Sequence, residues 1–200
     1  RYWRWCAFQT EFEALKILRE DKKGNAEDLL AHKKFVLDLV TKHGDINDIL
    51  LADTQMVLPN DMLTKVDLMS MANSLEVRVP LLDYTVVNFA FSLPAAFKID
   101  AQNGKRILKD AFRDVLPAEI FNRPKHGFEV PLLKWLQTGL HELIETDLLS
   151  KKFVEEQRIF NYEQVNALKQ KLFSPNPGDV HATVWSLVVF QYWYKKYFLQ

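Results

Sequence analysis

The chain has 200 residues, 48% of them hydrophobic, with Lys+Arg and Asp+Glu balanced at 26 each. This is enough apolar material for one folded domain with a sizeable core, and it argues against disorder. The neutral balance gives no electrostatic reason for a nucleic-acid or membrane partner, no apolar run can span a bilayer, and the single cysteine excludes a disulfide framework and points to a reducing compartment, the cytoplasm.

The local signals are nearly all helical. Thr10 and Glu13 have the spacing of a capping box, so a helix is expected from there to about Arg19. Asn25 can cap a second helix with Leu29, Leu30, Val36, Leu37 and Val40 on its apolar face, ended by Gly44. A third is expected from Ile46 to about Leu58, stopped by Pro59, and a fourth from Met62 to Leu75. Val77 to Pro80 reads as extended, because the residue before a proline avoids the helical region. Leu82 to Leu93 returns to helix and ends at Pro94; Lys105 to Leu116 is amphipathic; residues 123–128 form a loop. Leu132 to Leu149 is helical with a break near Gly139, followed by Phe160 to Phe173, a Pro-Gly turn at 174–178, and a long aromatic-rich helix from about Asp179. No alternation of strands and helices appears, so the expected class is all-α, as one domain over residues 1–200.

Three segments invite a functional reading. Residues 65–83 set Lys65, Asp67, Glu76, Arg78 and Asp83 among apolar neighbours, and charges in such a setting either pair or serve a site. On the residues alone, ion pairs anchoring a helix corner are the favoured reading. Arg123 and Lys125 stand two apart on a loop constrained by Pro124 and Gly127, and could grip phosphate oxygens; a solvated basic turn is the favoured alternative. The stripe Trp185, Phe190, Tyr192, Trp193, Tyr194, Tyr197 and Phe198 has helical spacing and reads as core. Cys6, between tryptophans, reads as a buried inert thiol. The five histidines have no metal-ligand spacing, Asp45, Asp48 and Asp53 do not make a calcium loop, and there is no glycine-rich phosphate loop.

Beyond these signals, the run from Leu58 through Lys65-Val66-Asp67 to Leu75-Glu76-Val77-Arg78-Val79-Pro80-Leu81-Leu82-Asp83 resembles the synthetase domain of glutamine-hydrolysing asparagine synthetases. Gly104-Lys105-Arg106-Ile107-Leu108, Arg123-Pro124-Lys125-His126-Gly127-Phe128-Glu129-Val130-Pro131-Leu132 with Trp135-Leu136, and Val184-Trp185-Ser186-Leu187 with Tyr192-Trp193 resemble the family's later landmarks, in the same order. The resemblance covers roughly residues 50 to 195 and is loose before 45.

The resemblance implies the C-terminal helical part of an adenine-nucleotide α-hydrolase-like (ATP-pyrophosphatase) domain, whose parallel sheet lies upstream. It implies an enzyme that adenylates aspartate with MgATP, releases pyrophosphate, and lets glutamine-derived ammonia attack the aspartyl-adenylate, giving asparagine and AMP. Lys125 matches the family's catalytic lysine. Lys65, Asp67, Glu76, Arg78 and Arg123 match residues bordering the active-site cleft. The partners implied are the substrates aspartate, ATP and glutamine or ammonia, and the upstream glutaminase and nucleotide-binding parts of the same chain. No metal ligand is implied here, and an oligomer is compatible.

The family's Ser-Gly-Gly-x-Asp-Ser loop and its Ser-Gly-x-Gly-x-Asp-Glu segment are absent, and the chain opens on Arg1 rather than methionine. The expectation is a fragment that makes no asparagine alone and binds ATP weakly. The alternatives are a related β-lactam-forming synthetase or amidotransferase, and a non-catalytic helical interaction module.

Overall fold

The computed structural model describes residues 2–24, 26–41, 43–101, 103–124 and 130–199. Among them the architecture is all-helical; no strand forms, and only the isolated antiparallel bridges Leu18 with Phe160 and Ile99 with Gly104 occur. The described residues separate into two units. One gathers residues 3–29 and 130–199, the other Tyr2 with 30–124.

The first unit is built on the long helix α12 (Val180–Phe198). In chain order the shorter helices of both units are α1 (Tyr2–Cys6), α2 (Glu11–Ile17), α3 (Ala26–Val40), α4 (Ile46–Gln55), α5 (Thr64–Ala72), α6 (Tyr84–Ser92), α7 (Arg106–Ala111), α8 (Ala118–Asn122), α9 (Leu132–Gln137), α10 (Lys151–Gln157) and α11 (Tyr162–Leu172). Along α12, Val180, Val184, Leu187, Val188 and Gln191 are buried at i, i+4, i+7, i+8 and i+11, the spacing of one helical face. They meet Leu136 of α9, Val154 of α10, Val165 and Leu172 of α11, Ile17 of α2, and Ile144 and Leu148 of a π-type stretch, Leu143–Leu148. Seven of these aliphatic side chains, from Leu136 to Val184, have no exposed surface at all. Burying each aliphatic side chain stabilises by about 1.5–3 kcal/mol, so this cluster is the unit's main source of stability.

The helix starts follow the sequence signals. Thr10 and Glu13 form both halves of the capping box, the Glu13 N–H donating to Thr10 Oγ1 at 3.2 Å and the Thr10 N–H to Glu13 Oε2 at 2.9 Å. Asn161 caps α11 and Ser150 caps α10. The helix α10 lies in a stretch that periodicity left unassigned. The break near Gly139 falls at residues 138–140, between α9 and the π-type stretch, as the sequence indicates.

Several expectations require correction. The aromatic stripe of α12 is not core: Trp185, Tyr192, Trp193, Tyr197 and Phe198 are exposed, and only Phe190 packs against the buried cluster, edge-on to Phe160 at 5.3 Å between ring centroids. The aliphatic arc of the same helix is interior because α9, α11 and the π-type stretch pack on that side. The aromatics stack on one another instead, Tyr194 lying 9° from parallel to Phe198 at 5.2 Å. Cys6, the last residue of α1, is exposed rather than buried. The amphipathic Lys105–Leu116 stretch yields only the six residues of α7; Lys105 takes a left-handed conformation (φ 59°) at its start, and turns replace the helix after Ala111.

In the second unit, Pro59 does not stop the chain's helical course. It sits in the first turn of a π-type stretch, Leu58–Leu63, where a missing N–H costs nothing, and that stretch runs directly into α5. Buried side chains are few here: Tyr2, Val36, Ala52 and Asp48. Asp48 is 1% exposed and ties the start of α4 to the preceding loop, accepting from the backbone N–H of His43 at 2.6 Å, the N–H of Gly44 at 2.7 Å and the His43 ring at 2.8 Å. Burial pushes its carboxyl up, but those hydrogen bonds together outweigh burial and hold it below the ordinary aspartate value.

Candidate functional site

The segment that carries most of the predicted site residues runs from the π-type stretch through α5 into residues 75–79. Asn73 follows α5, and Ser74 adopts a left-handed conformation (φ 56°). Its N–H donates to the Met71 carbonyl at 3.0 Å, while the Leu75 N–H reaches back to the Ser70 carbonyl at 2.9 Å. This is the Schellman ending, formed here with serine where glycine is usual. The reversal returns the extended residues 75–79 toward α5.

Between the two strips lies a groove of about 440 Å³, with Pro59, Leu63, Thr64, Val66 and Met71 on one side and Val77 and Val79 on the other. Asp67, Ser70 and Glu76 supply its polar groups. Asp67 and Ser70 stand three apart on α5, so they share a face. Glu76 is held by Arg78, whose Nη2 lies 2.6 Å from Glu76 Oε1; both side chains are largely exposed. The pairing leaves most guanidinium N–H groups of Arg78 available to a further anion.

Of the six residues singled out in sequence, the structure therefore brings Asp67 and Glu76 to one groove, with Arg78 attached through Glu76. Lys65 is not on the groove; its ammonium stands 3.9 Å from Asp61 on the exposed side of α5. Arg123 is exposed at the C-cap of α8. Lys125, with the loop through residue 129, lies outside the described residues. Ser70 was not singled out, although its spacing from Asp67 was the available signal. Asp83 belongs to the fold instead: it caps α6, accepting from the Thr85 N–H at 2.9 Å.

The second unit exposes many large apolar side chains: Leu68, Met69, Met71, Leu75, Leu81, Tyr84, Phe89, Phe97 and Val115 are each more than half exposed. No helix among the described residues is long and apolar enough to cross a membrane.

Comparison with known proteins gives a consistent picture. The family model described as asparagine synthase matches residues 2–195. The chain is 30% identical over 156 residues to asparagine synthetase [glutamine-hydrolyzing] 1 of Bacillus subtilis (strain 168), covering 77% of this chain and 24% of that protein. It is 35% identical over 139 residues to a putative asparagine synthetase [glutamine-hydrolyzing] of Mycobacterium bovis, covering 68% of this chain and 21% of that protein. A shorter stretch of 68 residues is 41% identical to the asparagine synthetase [glutamine-hydrolyzing] of Gallus gallus, 32% of this chain and 12% of that protein. The chain thus spans about a quarter or less of the length of these relatives. No solved structure gives a significant match.

Proposed function

This chain belongs to the asparagine synthase family, and on that premise we propose that it is the C-terminal helical portion of the synthetase domain of a glutamine-hydrolysing asparagine synthetase. The parallel sheet and the loops that grip the nucleotide would be supplied by sequence upstream of it, as would the glutaminase that releases ammonia. The full protein would convert aspartate, ATP and ammonia to asparagine, AMP and pyrophosphate in the cytoplasm. The portion alone would be inactive.

The observation that carries this reading is the groove of Asp67, Ser70 and Glu76, in a unit that exposes many large apolar side chains. Exposed apolar side chains have an energetic reason to lie against a partner surface, and the groove would then become one wall of an enclosed cleft. In that cleft Glu76 would orient Arg78, and Arg78 would offer its remaining donors to a phosphate or carboxylate oxygen. Asp67 would accept from a donor group of the substrate. Lys65 and Arg123 would add positive charge at the rim.

Lys125 has the central role in the proposal. Adenylation moves negative charge onto departing pyrophosphate oxygens, and attack of ammonia on the acyl-adenylate builds an oxyanion. An ammonium fixed near both lowers both barriers, because it interacts most strongly where charge develops. Magnesium would enter bound to ATP as part of that substrate. Among the described residues no three carboxylate, histidine or cysteine side chains gather as a ready metal-ligand set.

The test is Lys125→Ala in the full-length protein, following pyrophosphate release with aspartate, MgATP and ammonia. A loss of about a hundredfold or more with the fold intact is expected, the size associated with removing one such donor. Near-normal release would remove Lys125 from the chemistry.

A further inference from the structure

The turn between the helical stretch Ala95–Phe97 and the start of α7 carries the one Asn-Gly pair in the sequence, Asn103-Gly104. Both residues are exposed. The Asp100 N–H closes the turn by donating to the Asn103 carbonyl at 3.0 Å, and Ile99 forms an antiparallel bridge with Gly104. Just beyond it the Arg106 N–H donates to the Lys98 carbonyl at 3.0 Å, and its guanidinium to the Ala96 carbonyl at 3.1 Å. These bonds clip the first residue of α7 to the preceding stretch. The Gly104 N–H makes no hydrogen bond among the described residues, and a Cβ placed on Gly104 would meet nothing within 4 Å. The Asn103 side-chain amide is held by one contact, Nδ2 to Asp100 Oδ1 at 3.4 Å, longer than the roughly 2.7–3.2 Å of an ordinary N–H···O bond.

We propose that Asn103 is a site of spontaneous deamidation and isoaspartate formation, and that the isoaspartate product loosens the clip at the start of α7. The Gly104 nitrogen loses its proton to base and attacks Asn103 Cγ. The bond from Cγ to Nδ2 then breaks, Nδ2 takes up a proton and leaves as ammonia, and a cyclic succinimide remains. Water opens the ring at either carbonyl. Opening at Cγ gives aspartate; opening at the former main-chain carbonyl gives isoaspartate, with the chain running through the side-chain carbons. The net change is one water gained and one ammonia lost. The attack needs a nitrogen that is unbonded and unshielded, and glycine has no Cβ to shield it. Asn73-Ser74 shows the contrast: the Asn73 amide donates to the Met69 carbonyl at 2.9 Å, and the Ser74 N–H is engaged with the Met71 carbonyl at 3.0 Å. Isoaspartate at 103 adds a carbon to the path into Gly104 and takes the acceptor of the Asp100 N–H out of the main chain. The inference uses only this turn and stands independently of the synthetase reading.

The test incubates the 200-residue chain in warm, mildly alkaline buffer and follows its tryptic peptides by mass spectrometry, with isoaspartyl methyltransferase labelling to identify isoaspartate. The peptide carrying Asn103-Gly104 should lose its parent mass and gain that of the acid. Its loss should quicken as pH rises, because the attacking nitrogen must be deprotonated. The peptide carrying Asn73-Ser74 should lag far behind in the same sample. Gly104→Ala should slow Asn103 to the pace of Asn73, because the added methyl shields the nitrogen. That variant keeps the fold, since residue 104 has open space around it and lies outside the left-handed region. In the converted chain, hydrogen exchange at the Asp100 and Arg106 amides should be faster than in the fresh chain, because their acceptors have moved. An Asn103 that stays intact, conversion in Gly104→Ala as fast as in the parent, or unchanged exchange at Asp100 and Arg106 after conversion would each overturn the proposal.

Discussion

Ser74 connects backbone strain to the candidate site. It is a serine at φ 56°, held by the Leu75-to-Ser70 and Ser74-to-Met71 hydrogen bonds that end α5. A left-handed conformation costs an L-residue about 1–2 kcal/mol. Glycine removes that cost but adds freedom to the unfolded chain worth about 0.4–1 kcal/mol. Ser74→Gly should therefore stabilise slightly, by about 0.5 kcal/mol. Ser74→Val should destabilise by about 1–2 kcal/mol, because a β-branched residue is a true outlier there, or the turn should open. Urea unfolding followed by helical circular dichroism measures both. In the full-length protein, Gly at 74 should leave pyrophosphate release near normal and Val should lower it, because the reversal is what brings Glu76 onto the groove. Wild-type stability and release with Val, or marked destabilisation by Gly, would refute the argument that this turn positions Glu76.

Two further predictions concern buried charge. Lys169 is 4% exposed and bonded to the partly exposed Glu145 at 3.0 Å, so replacing it by methionine of similar shape removes a desolvated charge and should be neutral or stabilising. Glu145→Gln instead leaves that charge without its counter-ion and should destabilise by about 1–3 kcal/mol; the reverse order in urea unfolding would show that the pair contributes net stability. The Asp48 carboxyl is held below its ordinary value of 3.8 in the folded state, so it contributes stability that is complete above that value and is lost as pH falls through the lower folded value. Asp48→Asn should flatten the acid side of the stability–pH curve, and an unchanged acid slope would contradict the assignment of proton uptake to Asp48.

Much of the fold is legible locally. The capping box at Thr10 and the break at Gly139 are short-range hydrogen-bonding or backbone effects, so residue type and spacing suffice to find them; the caps at Asn161 and Asp83 are equally local, but the sequence pattern starts those helices at Phe160 and Leu82. Pro59 was misleading because its effect depends on register: a proline ends a helix from the interior but opens one from the first turn. Lys105 to Leu116 has the right periodicity but little within the described residues to pack against; Ile107, Leu108, Phe112 and Val115 remain exposed, and packing is what sustains a short helix. In the candidate site, Asp67 and Glu76 are nine residues apart. Only the reversal at Ser74 places them on one groove, and its left-handed serine carries no glycine to announce it.

By itself the sequence determined the helical class, most helix starts and the family, because caps, periodicity and a chain of motifs in fixed order are properties of neighbouring residues. Only the tertiary structure decided which arc of α12 is core. That helix is apolar on nearly every side, so its pattern cannot choose between Val184, Leu187 and Val188 on one arc and Trp185, Val189 and Trp193 on another; the choice came from the helices that pack against it. The same reason applies within the second unit. Lys98 and Asn47 are 51 positions apart, as are Tyr2 and Asp53, and hydrogen bonds over such separations arise from packing that no local signal encodes.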